Sequence, residues 1–247
     1  MVEKTKALEA YQEAGRRSKK HVECIPMLKR SDIKREAAKI INEELTVDDS
    51  LFLYHDVCTN GIGYVDLMFK TDSIAPEQIP YLGLLKSVLG YVDTENYTYG
   101  ELFNEINANT GGINCGVEVF DRADSTEEFQ AMFSVRGKAL YTKMDFLFKM
   151  IGEILNSSKL EDTKRLYEIV ASVKSRAQVN LTGAGHSTAV LRAAAYSSPM
   201  AAFQDEMAGI GYYQFIEKLE KDFEQRKEET VEELCKLMKK ILRPENL

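Results

Sequence analysis

The chain has 247 residues, 44% of them hydrophobic, enough to bury a substantial core in one large domain or two small ones. Its 39 acidic against 32 basic residues leave a net charge of -7, which argues against a nucleic-acid surface and mildly favours cationic partners. Four scattered cysteines without a C-x-x-C pair speak against a zinc ribbon or a redox dithiol, and with no signal-peptide-like start and no apolar run of membrane-spanning length, a reduced, cytoplasmic protein without a membrane span is expected.

Residues 2–23 are rich in Lys, Glu, Ala and Gln with Leu8, Tyr11 and Val22 as sparse apolar points, which predicts a long exposed helix. Ile25-Pro26 breaks it, and Ser31 before Asp32 and Ile33 caps a second short helix reaching about Glu44. Residues 1–48 are thus expected as a helical connector ahead of an α+β domain over 49–242, with 243–247 as the start of a further one. Residues 52–70 read as two strands joined by a turn at Thr59, Asn60, Gly61 and Gly63. Within them Val65, Leu67 and Phe69 alternate with Tyr64, Asp66 and Met68, so Tyr64 and Asp66 point away from the buried face.

Pro76 and Glu77 open a helix whose Ile79, Leu82, Leu85, Val88 and Leu89 recur at helical spacing up to Gly90. Thr98 with Glu101 forms a capping box for a helix that stops at Thr110-Gly111-Gly112. Residues 113–121 and 129–137 are strands that pair across the polar loop at Asp124 and Ser125, and 140–155 is an apolar helix. Asp162 starts a helix interrupted at Gly183 and Gly185, Ser198-Pro199 starts another, and 212–242 is a long amphipathic helix or a pair of them. The pattern predicts an α+β fold, a mixed or antiparallel sheet with helices on one face.

Reactive groups are sparse. His55, Asp56 and Cys58 are close in sequence, but neighbouring strand residues point to opposite faces and no orienting partner is specified, so ordinary strand and turn residues are the simpler reading. The three histidines, His21, His55 and His186, stand in neither H-E-x-x-H nor H-x-x-E-H, so no metal site and no cofactor is expected within this chain. The run from Gly183 to Thr188 imitates a phosphate loop but follows a helix and lacks G-K-[ST], which favours a helix corner. Arg192, a cation among small residues, is expected to be paired or used.

Six stretches in order carry a resemblance: IPMLKRSDI at 25–33, TNGIGYVDLMFK at 59–70, IPYLGLLKSVL at 79–89, YTYGELFNEINANTGGI at 97–113, GHSTAVLRAAAYSSP at 185–199 and GIGYYQFIEKLE at 209–220. Together they resemble presequence proteases and falcilysin-like enzymes, inverted-motif zinc peptidases of the insulinase and pitrilysin type. The resemblance implies four similar α+β domains closing around a peptide-filled chamber, of which this chain is similar to the end of the hinge and the third, associated domain.

The zinc motif H-x-x-E-H of such enzymes has no match here, and Arg192 and Tyr196 are spaced too closely for their R-x-x-x-x-x-Y pair. The resemblance therefore implies a noncatalytic chamber wall, zinc held elsewhere in a full-length parent, and the parent's other domains and a peptide substrate as partners. Tyr64, Asp66 and Arg192 are the candidate chamber residues, and self-association of exposed surface is a further expectation. The alternative is an inactive interaction subunit that pairs with a separate catalytic peptidase chain.

Overall fold

The computed structural model describes residues 2–17, 25–36, 39, 41–48, 50–125 and 127–247. They divide into two compact units, Met1–Ile41 and Asn42–Leu247. The first holds helix α1 (Val2–Arg17) and a single 3-10 turn at Arg30–Asp32, where the Asp32 carboxylate accepts the Lys29 N–H at 2.8 Å. The rest of the predicted first helix, residues 18–23, lies outside the described residues.

Among the described residues the short helix expected to reach Glu44 is not formed. Ile33 already has an extended backbone, and Glu43 and Glu44 begin strand β1 (Glu43–Val47). The physical reason is the run Leu45-Thr46-Val47, whose β-branched residues favour a pleated chain, followed by Asp48 turning at a φ of 52°. Strand β2 (Ser50–Tyr54) returns antiparallel, with Leu45 opposite Phe52 and Thr46 opposite Leu51.

A second correction concerns β3 (Ile62–Lys70), which was expected to pair with the strand before the glycine turn. Its partner is instead β5 (Phe129–Leu140), with Leu67 opposite Val135, while β2 pairs with β1. Asn60 and Gly61 take positive φ, and the Gly61 carbonyl accepts the Tyr141 N–H at 2.9 Å, so the turn docks on the end of β5. Strand β4 (Ile113–Asp121) pairs with the other edge of β5, as the polar loop predicted, and the order β3-β5-β4 is antiparallel throughout. Among the described residues, helices and antiparallel sheets make an α+β fold.

One sheet face carries Leu67, Phe69, Val135, Phe133, Cys115 and Val117, and these join the hydrophobic core. Over that core lie α2 (Ile79–Val88) and α4 (Met144–Ser157), contributing Leu82, Leu85, Leu147 and Met150 at 0% exposure. Between them α3 (Tyr99–Asn109) starts on the predicted capping box, Thr98 N–H donating to Glu101 at 3.0 Å. Strand β5 runs past the expected Gly137 to Leu140, and a 3-10 turn at Tyr141–Lys143 delays α4 to Met144.

Asp162 caps α5 (Thr163–Gly183), α6 (Gly185–Ala194) follows at the glycine corner, and Ser198 caps α7 (Pro199–Ala208). The predicted C-terminal helix is a pair, α8 (Ile210–Lys221) and α9 (Phe223–Ile241), broken at Asp222. Ile216, Leu219, Leu234 and Leu237 from that pair close the core.

Candidate functional site: the outer face of the sheet

The alternation that buries Leu67 and Val135 turns the opposite set outward. Across the strands Tyr64 stands opposite Lys138, Asp66 opposite Arg136 and Arg136 opposite Asn114. Arg136 Nε donates to Asp66 Oδ2 at 2.7 Å, and its Nη1 pairs with Glu118 Oε1 at 3.1 Å. One guanidinium on the central strand thus bridges two carboxylates from the two edge strands. The hydrogen bond to Asp66, reinforced by both negative charges, raises the Arg136 pKa further. The cluster carries a net charge of -1, since it sums one cation and two anions.

Its members stay accessible, the Asp66, Glu118 and Arg136 side chains being 33%, 34% and 49% exposed. Tyr64, at 64%, stands beside them as an open aromatic surface. The Lys138 stem lies so close over Gly111 that a Cβ there would meet Lys138 Cγ at 2.7 Å. Asp66 was legible from alternation, but Arg136 and Glu118 were missed. The outward phase of residue 136 is readable, whereas its contact with residues 66 and 118 depends on non-local pairing.

Arg192 belongs to a different cluster. From α6 its Nη1 donates to Asp205 Oδ2 at 2.6 Å, and the guanidinium lies 5.8 Å from the Tyr196 ring centre. Asp205, 1% exposed, also accepts the Ile210 N–H at 3.0 Å and the Gly211 N–H at 3.2 Å, so it caps α8 from within α7. That bond from Arg192 to Asp205 also raises the Arg192 pKa.

The remaining candidates do not converge on chemistry. Cys58 is exposed, its Sγ 3.7 Å from Asn60 Oδ1, and residues 183–188 form the corner between α5 and α6. Burial pushes the Cys115 thiol up to about 12, which leaves it an inert core residue. Among the described residues no three His, Cys, Asp or Glu side chains come together to hold a metal ion, so the groups present do not fit a zinc site. Among the same residues no helix is long and apolar enough to cross a membrane.

The family model for the peptidase-associated region of metallopeptidase family sixteen, subfamily C, matches residues 1–219. A protein named HypA from Clostridium perfringens is 37% identical over 83% of this chain and 21% of its own length. The mitochondrial presequence protease of Yarrowia lipolytica is 28% identical over 83% of the chain and 21% of its own, and that of Saccharomyces cerevisiae is 29% identical over 93% and 23%. The chain thus spans between 21% and 23% of the length of these curated relatives.

Proposed function

Because the chain belongs to the peptidase-associated family of metallopeptidase family sixteen, subfamily C, we propose that it is the noncatalytic wall of a chamber in which a larger zinc peptidase degrades peptides. The observation that carries the reading is the open sheet face, where Asp66, Arg136 and Glu118 form an accessible, pre-ordered anionic cluster beside Tyr64. An extended cationic peptide laid across that face meets carboxylates already held in place and an aromatic ring for its side chains. The overall charge of -7 acts in the same direction. In this reading zinc and the reacting groups belong to other parts of the parent enzyme, and those parts are the partners of this domain.

The test uses the 247-residue chain. Purified without chelator, it is expected to hold no stoichiometric zinc and to leave a fluorogenic peptide uncut. An unfolded cationic peptide at low salt should shift the NMR signals of Tyr64, Asp66 and Arg136. One zinc per chain with EDTA-sensitive cleavage overturns the noncatalytic assignment, and a sheet face unmoved by the peptide overturns the wall.

A further inference from the structure

Tyr212, on α8, is 6% exposed, and its hydroxyl is enclosed without a hydrogen-bond partner. Its ring cannot turn away to find one. It stacks on Phe215 at 6.5 Å, and it lies against Gly83 of α2 so closely that a Cβ there would meet the ring at 2.8 Å. A phenol enclosed unpaired carries a desolvation cost that a phenylalanine in the same place would not. Ser87, in the same wall, directs its own proton to the Gly83 carbonyl at 3.4 Å.

The phenol lines a cleft of about 250 Å³ bounded by α2, α5, α6 and the corner between α7 and α8. The other polar side chains in the wall are Ser87, Arg176, Asn180 and Thr188. Thr188 gives its proton to the Ala184 carbonyl at 3.2 Å. Arg176 makes no ion pair among the described residues, and no carboxylate lines the cleft although the chain carries a net charge of -7. In the adjoining cleft, which shares Ser87 and Arg176, the carboxylate is Glu168, already paired with Arg165 at 2.9 Å. Burial raises the Tyr212 pKa, which keeps the phenol a donor at neutral pH.

From this convergence of donors, a fixed phenol O–H, an unpaired guanidinium and an amide N–H₂ with no anionic acceptor among them, we propose that the cleft binds a small oxyanion, a carboxylate or a phosphate. The site stands apart from the sheet face and does not depend on the reading of that face. Its size suits a free anion or the terminal carboxylate of a peptide, the apolar wall covering whatever carries the charge.

The experiment titrates the full chain with inorganic phosphate, with acetate, and with one short peptide carrying either a free or an amidated C-terminus, following Arg176 and Tyr212 by NMR. At least one oxyanion should bind saturably, about tenfold more weakly after Arg176→Gln and several-fold more weakly after Tyr212→Phe. The Tyr212→Phe protein should melt no lower than the parent, because the hydroxyl it loses is enclosed without a partner. Response to the free but not the amidated peptide assigns a peptide carboxylate, and response to phosphate alone assigns a free anion. A response that does not saturate with any probe, or binding that both variants leave unchanged, overturns the proposal.

Discussion

Asp205 shows how a single carboxylate can organise three helices. Buried at 1% exposure, it accepts N–H groups from Ile210 and Gly211 and the Arg192 guanidinium, so one side chain caps α8 and anchors α6. Asp205→Ala removes all of these acceptors and leaves two helix-terminal N–H groups in the interior, which should cost about 2–4 kcal/mol. Arg192→Gln leaves the cap in place, and Arg192 is 39% exposed, so its loss should be smaller than that of Asp205. Urea midpoints at constant slope measure both. An Arg192→Gln protein as stable as the parent would mean that the ion pair holds nothing, and Arg192 would return to being a residue kept for a ligand. The sequence showed a cation among alanines; that its partner sits 13 positions later, on the next helix, follows only from the fold.

At the scale of elements, the close approach of α2 to the α7–α8 corner depends on Gly83. A Cβ on it would meet the Met207 carbonyl at 2.6 Å and the Tyr212 ring at 2.8 Å, and a backbone carbonyl cannot turn aside as a side chain can. Gly83→Ala should therefore destabilise the chain by about 2–3 kcal/mol through overpacking, despite alanine's better helix propensity. Gly100 on α3 has nothing within 4 Å of a Cβ, so Gly100→Ala should be neutral or stabilising by up to about 1 kcal/mol. Thermal unfolding of the two single variants reads the contrast, and equal melting temperatures would refute it. The helices after Pro76 were legible because their signals are local: the Thr98–Glu101 box, Asp162, Ser198-Pro199 and apolar positions at helical spacing. Strand pairing was not, because β3 finds its partner at β5, where Ile62 meets Leu140 across the whole of α2, α3 and β4. The same non-locality hid Arg136 and Glu118 from a reading that had found Asp66.

For the molecule as a whole, the β1–β2 ribbon is the part least accounted for by its own contacts. Opposite residues of an antiparallel pair share a face, so Leu45, Val47, Phe52 and Tyr54 lie on one side of it. All four are exposed, between 42% and 56%, with the Phe52 and Tyr54 rings stacked at 6.5 Å. A two-stranded ribbon is marginal in water by itself, and an apolar face of this kind gains stability when another surface covers it. In the curated relatives most of the length lies outside the matched region, which offers such a surface within one polypeptide. In the 247-residue chain alone a second copy can supply that cover. Sedimentation velocity across a hundredfold range of concentration should show reversible self-association, weakened at least tenfold by Leu45→Lys combined with Phe52→Lys. Because both positions are solvent-exposed, that double variant should keep the helical signal and the melting temperature of the parent, so a loss of association traces to the ribbon and not to unfolding. A strict monomer over the full range would instead mean that the ribbon is stable uncovered, and that its apolar face needs neither a second copy nor another domain.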